Sequence, residues 1–189
     1  MRSFEFARKM ENGKPIVYPT DRCQVDAFEQ AYPNAQLPEY QTLGAAGADF
    51  FSAEDVVIPS IWKLVFEAMK EKIINKDERF DIKPTFVHTG IKSQMEDDEV
   101  LELYNRSSNP KKVGLILANS VGIIDSDYYN NVDNDGEIMF AFYNFKLWDV
   151  TIHTGDRIGQ GIFKKILRPT KGLRVKEDVR KGGIGSTGK

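Results

Sequence analysis

Val100-Leu101-Glu102-Leu103-Tyr104-Asn105-Arg106-Ser107-Ser108-Asn109-Pro110-Lys111-Lys112-Val113-Gly114-Leu115-Ile116-Leu117-Ala118 contains two short apolar runs, at 100–104 and 113–118, parted by a polar segment rich in Asn, Ser and Pro. Short runs bounded by turn formers predict β-strands. The pattern returns at 3–7, 49–52, 86–91, 138–145 and 158–167. So many short strands predict a mainly β fold, a sandwich or a barrel. One segment differs. After Pro59 and a potential N-cap at Ser60, the apolar residues Ile61, Leu64, Val65, Ala68, Met69 and Ile73 recur at the spacing of one helical face. The expectation is one inserted amphipathic helix at about 60–75 with its apolar stripe laid on the barrel.

Composition narrows the function classes. At 189 residues the chain predicts a single domain, 1–189, large enough for a real core. With 41% hydrophobic and 29% charged residues it lies outside the disordered class. A net charge of −2 argues against a nucleic-acid polymer as partner, because such binding draws on an excess of Lys and Arg. The single cysteine, Cys23, can form neither an intrachain disulfide nor a zinc site, and suits a reducing compartment. No apolar stretch has the length of a membrane span and no signal-type segment follows Met1. The sequence therefore reads as a soluble cytoplasmic protein without a membrane partner. Residues 10–36, with Asn12, Gly13, Pro15 and Pro33, read as a long loop or an arm toward a neighbouring subunit behind an N-terminal strand. The charged runs 70–81 and 96–99 read as solvated surface.

The segment Arg180-Lys181-Gly182-Gly183-Ile184-Gly185-Ser186-Thr187-Gly188-Lys189 concentrates glycines, hydroxyls and cations. That composition lets backbone N–H groups approach phosphates closely, so 178–189 taken alone reads either as a mobile phosphate-binding tail or as a frayed glycine-rich terminus. Four earlier segments share the character: Ala46-Gly47-Ala48-Asp49, Asn105-Arg106-Ser107-Ser108, Gly122-Ile123-Ile124-Asp125-Ser126-Asp127-Tyr128, and Gly155-Asp156-Arg157-Ile158-Gly159-Gln160. In this order, with the tail last, they resemble the five motifs of the trimeric dUTPase family (dUTP diphosphatases), over residues 37–189. The resemblance implies a distorted jelly-roll β-barrel, in line with the strand pattern.

It also implies roles for individual residues. Asp125 matches the general base that activates water for attack on the α-phosphorus of dUTP, giving dUMP and pyrophosphate. Arg106, Ser107 and Ser108 match the phosphate-contacting motif, and Gln160 the glutamine of the fourth; Asp156 and Arg157 read as a structural ion pair. Arg180, Gly185, Ser186 and Thr187 match the tail that closes over the phosphates. Asp49 matches the aspartate that holds a water of the phosphate-bound Mg²⁺. Asn119 corresponds to the base-recognising asparagine and Tyr128 to the tyrosine packed against deoxyribose, where a flat ring excludes a 2′-hydroxyl. Sites built from three subunits would make the protein a homotrimer.

The chain departs from the common pattern in three places, the first being a spacing from Arg180 to Gly182 that is one residue shorter. Ile184 stands where the family tail usually carries a uracil-stacking Phe, and 129–136 lengthens the third motif. Both features are similar to Bacillus-type and phage-type members, in which an aromatic from the core of the fold replaces the tail Phe; Phe140 and Phe142 are the candidates here. The cluster Asp133-Asn134-Asp135-Gly136 reads as a turn before it reads as a metal site. Two rival functions share the fold. A dCTP deaminase needs a carboxylate before its aromatic-Tyr-Asn run, where this chain has Ala141. A non-catalytic regulatory module would keep the fold without the chemistry.

Overall fold

The computed structural model describes residues 2–8, 10–11, 14–15, 32–75 and 82–171. They form short strands: β1 Ser3–Phe6, β2 Met10–Glu11, β3 Lys14–Pro15, β4 Ala48–Phe51, β5 Val56–Ile58, β6 Thr85–His88, β7 Ile91–Gln94, β8 Glu99–Asn105, β9 Leu115–Leu117, β10 Val121–Asp125, β11 Met139–Asn144, β12 Val150–Ile152 and β13 Arg157–Lys165. One long helix, α1, spans Ile61–Asn75. The fold is mainly β, as the strand pattern predicts. The expected run at 86–91 is split by Gly90, whose φ of 65° ends β6 and turns the chain into β7. β5, β10 and β12 are additional strands, three to five residues long. No helix among the described residues is long and apolar enough to cross a membrane.

Two sheets position everything that follows. One has the order β10-β8-β13-β4 and the other β6-β11-β9, all antiparallel. Because side chains alternate along a strand, each sheet has an inner and an outer face. Phe50, Leu101, Leu103 and Ile124 point inward from the first sheet and meet Val87, Leu115, Leu117, Phe140 and Phe142 of the second in one core. Phe140 lies with its centroid 5.6 Å from Phe50 and 6.2 Å from Phe142. Burying each such ring contributes about 1.5–3 kcal/mol. Room for them comes from Gly159 and Gly161 on β13: a β-carbon at Gly159 would fall 2.0 Å from Phe140 Cε1, and one at Gly161 would fall 2.7 Å from Phe50 Cε2.

The helix forms where the periodicity places it, with two corrections. Ser60 precedes the first turn, but its hydroxyl donates to Lys146 O (2.7 Å), while its N–H donates to Asp149 (2.9 Å). Along α1, Ile61, Leu64, Val65 and Ala68 are half-buried, yet Met69 is more than half exposed, as are Trp62 and Phe66. The helix thus presents aromatic residues to solvent beside the stripe that the spacing singled out; the side chain of Ile73 lies outside the described residues.

Charge is buried where the sequence reads as plain surface. β1 pairs with β7, and Arg2 beside it donates through Nε (2.6 Å) and Nη2 to Glu99. Glu99 is fully buried, so the run 96–99 is not all solvated. Hydrogen bonds from the Arg2 guanidinium hold the Glu99 carboxyl at about 2, well below its ordinary value of 4.5. Asp135 is likewise buried, bonded to Arg8 (2.7 Å) and Lys92 (3.0 Å). Burial alone would raise its carboxyl, but these cations hold it below the ordinary range.

Two outcomes follow from this packing. Gly159→Ala should destabilise the protein by about 3 kcal/mol, since neither the β13 backbone nor the Phe140 ring can yield without strain; urea unfolding reads it. Glu99 has a depressed folded value, so its contribution is complete above pH 4.5 and is lost as pH falls toward about 2. An acid titration of Glu99→Gln should lack that component; a curve with the wild-type slope in this window would show that the Arg2 pairing does not set acid stability.

Candidate active site

The outer face of the β10-β8-β13-β4 sheet carries the motif side chains. Register across it gives a first row of Val121, Tyr104, Gln160 and Asp49, a second of Ile123, Glu102 and Ile162, and a third of Asp125, Val100 and Lys164. Asp49 and Gln160 are therefore direct cross-strand neighbours. Arg157 Nη1 reaches Asp49 Oδ2 at 3.1 Å, and Arg106 Nη1 donates to Arg157 O at 2.9 Å. Together they form a corner with one carboxylate, one amide and two guanidinium groups. The expected Asp156–Arg157 ion pair is corrected: Arg157 pairs with Asp49, while Asp156 accepts the His153 N–H (2.8 Å) inside its own turn.

The Arg106-Ser107-Ser108 turn is shaped by flanking asparagines. Asn109 Nδ2 donates to Asn105 Oδ1 and to Ile158 O, both at 2.8 Å, and Asn105 Nδ2 donates to Leu115 O at 2.9 Å. Asn109 is buried, so these amides satisfy interior carbonyls and hold the turn at the end of β8. Ser107 is exposed and Ser108 half-buried, followed by a single π-helical turn, Asn109–Val113. A cleft of about 210 Å³ opens beside it, lined by Arg106, Val113, Thr151, Asp156 and Arg157. A larger one of about 540 Å³ lies elsewhere, between Arg2, Tyr40 and Lys164, and holds none of the expected site residues.

Asp125 closes β10 in the opposite corner of the same face, exposed and in register with Val100. Three strand spacings of about 4.8 Å and four residues of about 3.4 Å put it about 20 Å from Asp49. Asn119 lies at the other end of β10, in an exposed turn where Val121 N–H donates to Asn119 O (2.6 Å) and Ser120 has a φ of 60°. One chain thus brings Asp49, Arg106 and Gln160 together but leaves Asp125 apart. Arg180, Gly185, Ser186 and Thr187 lie outside the described residues.

Tyr128 follows Asp125 through a 3₁₀ turn, Ser126–Tyr128, and is 3% exposed. The expectation that Phe140 or Phe142 stacks on uracil is corrected. Both point into the core at 0% and 1% exposure, because β11 alternates and their positions are the inward ones. Neither has a ring face to offer a base. The Asp133-Asn134-Asp135-Gly136 segment is a turn, with Asp135 paired to Arg8 and Lys92. Sequence reasoning passed over Asn105, Asn109, Asn131 and Asn134; the one available signal was the run of asparagines flanking the Arg-Ser-Ser and Asp-Ser-Asp-Tyr segments.

Comparisons with known proteins identify the family of the chain. The sequence profile of the dUTPase family matches residues 79–188. A deoxyuridine 5′-triphosphate nucleotidohydrolase of Lactococcus lactis is 47% identical over 160 residues, covering 83% of this chain and 92% of that one. The crystal structure of a dUTPase from Streptococcus mutans superposes with a TM-score of 0.58 at 36% identity, covering 73% of this chain and 91% of that one. A mutant dUTPase from phage phi11 of S. aureus, in which a structural Mg(II) ion is coordinated, shares the fold with a TM-score of 0.53 at 19% identity, covering 77% and 92%. On the strength of the profile match, the Lactococcus relative and the shared jelly-roll fold, this chain belongs to the dUTPase family.

Proposed function

We propose that this protein is a dUTP diphosphatase that hydrolyses dUTP to dUMP and pyrophosphate. The observation that carries the reading is the outer sheet face: a cation-rich corner of Arg106, Arg157, Gln160 and Asp49, with Asp125 about 20 Å away on the same face. Guanidinium groups suit a phosphate chain, since their planar donors match its oxygens. Arg106 and the hydroxyls of Ser107 and Ser108 bind phosphates there, and Gln160 adds an amide donor. An exposed carboxylate such as Asp125 suits the opposite task, drawing a proton from water as it attacks the α-phosphorus. Asn119 takes the uracil edge and Tyr128 the deoxyribose. The tail, through Arg180, Gly185, Ser186 and Thr187, covers the phosphates and excludes water.

Mg²⁺ is the proposed cofactor. Asp49 offers one carboxylate rather than a cage, which fits an ion that keeps its waters and is chelated mainly by substrate phosphates. Bound there, the ion would neutralise charge on the leaving pyrophosphate. Asp49, whose carboxylate Arg157 steadies at 3.1 Å, would hold the hydrated ion there.

The separation of the two corners supports a homotrimer. A distance of about 20 Å exceeds the reach of one phosphate chain, so Asp125 of one copy serves the Arg106 corner of another. The deaminase reading is weaker, because Ala141 sits on β11 opposite Phe86 and supplies no carboxylate. The nearby Glu137 is buried and bonded to Tyr32 (2.9 Å) and the Gly90 N–H (3.1 Å).

Incubation with dUTP, dCTP and UTP in the presence of Mg²⁺ tests the reading directly: pyrophosphate should come from dUTP alone, whereas dUTP formed from dCTP would mean a deaminase. Asp125→Asn should lower kcat by about 10²–10⁴ with nucleotide binding retained. Shared sites make a sharper claim. Asp125→Asn and Arg106→Ala, each inactive alone, should recover about a quarter of wild-type activity when co-refolded in equal amounts, from sites that draw both intact residues from different copies. Mixed oligomers with no recovery would rule out a site divided in this way.

A further inference from the structure

The inserted segment 129–136 is built around one side chain, Tyr128. Its hydroxyl donates to Glu137 O at 3.0 Å and accepts from Asn134 Nδ2 at 2.7 Å. The Asn134 carbonyl in turn accepts from Asn131 Nδ2 (2.6 Å) and from the Gly136 N–H (3.2 Å), which fixes the amide with its donor end on Tyr128. Asn131 Nδ2 also donates to Tyr128 O at 3.0 Å, and Asn131 Oδ1 accepts the N–H groups of Asp133 and Asn134. Gly136, at a φ of 80°, lets the loop close: a β-carbon there would fall 2.8 Å from Tyr128 O. The loop is itself tied down from outside. Asp135 holds Arg8 and Lys92, and Tyr129 donates to Glu5 at 2.7 Å.

We propose that Asn134 is a positioning residue for sugar selection, locking the Tyr128 ring so that the wall against a 2′-hydroxyl does not yield. The inference rests on the reading that Tyr128 lies against the deoxyribose. An apolar wall rejects one added hydroxyl only by shape, and that discrimination is modest unless the wall is rigid. A ring free to move by a fraction of an ångström gives way to the extra oxygen. A tyrosine held at its hydroxyl by Asn134, and along its backbone by Asn131, has lost that freedom. The insertion thereby acquires a task in specificity that its distance from the phosphates would not suggest.

The test is the ratio of kcat/KM for dUTP to that for UTP in the full-length enzyme. Asn134→Leu and Tyr128→Phe should each lower the ratio by about tenfold; for Asn134→Leu the change should come mostly through a lower KM for UTP, with kcat on dUTP little changed. The double variant should be no worse than Tyr128→Phe alone, because that variant already lacks the bond to Asn134. Should Asn134→Leu fail to fold, Asn134→Asp keeps the size, removes the amide donor, and should lower the ratio likewise. Tyr128→Ala separates the two levels of the argument. An unchanged ratio in Tyr128→Ala would overturn the placement of Tyr128 at the sugar. A lowered ratio in Tyr128→Ala, with Asn134→Leu or Asn134→Asp folded and at the wild-type ratio, would overturn the role of Asn134 alone.

Discussion

Phe140 lies so close to the backbone of Gly159 that the two sheets can only meet in one way. With no β-carbon on Gly159 or Gly161, β13 lets the rings of Phe140 and Phe50 settle against its inner face. Any larger residue at 159 would force the sheets apart or push the ring off its rotamer. The inner side of β13 is therefore committed to packing, and alternation sends Gln160, Ile162 and Lys164 to the outside. That single contact decides which half of the strand is core and which half is available for chemistry. The same logic removes Phe140 and Phe142 from the list of groups able to meet a base.

Around this core the chain buries Lys92, Glu99, Asp135 and Glu137. Glu99 with Arg2, Asp135 with Arg8 and Lys92, and Glu137 with Tyr32 and His88 all tie the N-terminal part of the chain to the body of the fold. Buried ion pairs add little net stability compared with apolar packing, but breaking one leaves an uncompensated charge in a poor solvent. Their effect is to make one arrangement of β1, β7 and the 129–136 segment far better than its alternatives. The insertion gains a fixed shape by this means, and passes it to Tyr128 through Asn131 and Asn134.

The outer face of the β10-β8-β13-β4 sheet divides its chemistry between opposite corners. Between them lies a half-buried cluster in which Lys164 reaches Glu102 at 2.5 Å and Tyr104 at 2.8 Å. The cluster occupies the middle of the face, with Arg106 and Arg157 at one end and Asp125 at the other. The Asp125 carboxylate and the Arg106 corner are held far apart on one sheet. The proposed division of the site between copies rests on that separation.

The sequence by itself determined the mainly β character, the helix at Ile61–Asn75 and the family, because strand alternation, helical spacing and ordered short motifs are local signals. It also brought out Asp49, Arg106, Gln160 and Asp125 as residue types suited to phosphate and proton chemistry. It did not reveal which strands are neighbours. The helix face that carries Trp62 and Phe66, the burial of Glu99, the inward direction of Phe140 and Phe142, and the pairing of Arg157 with Asp49 all depend on contacts between segments far apart in the chain. Only the tertiary structure decided that Asp49 and Gln160 lie side by side while Asp125 stands about 20 Å away, since sheet order and register are set by how the faces pack, not by spacing along the chain.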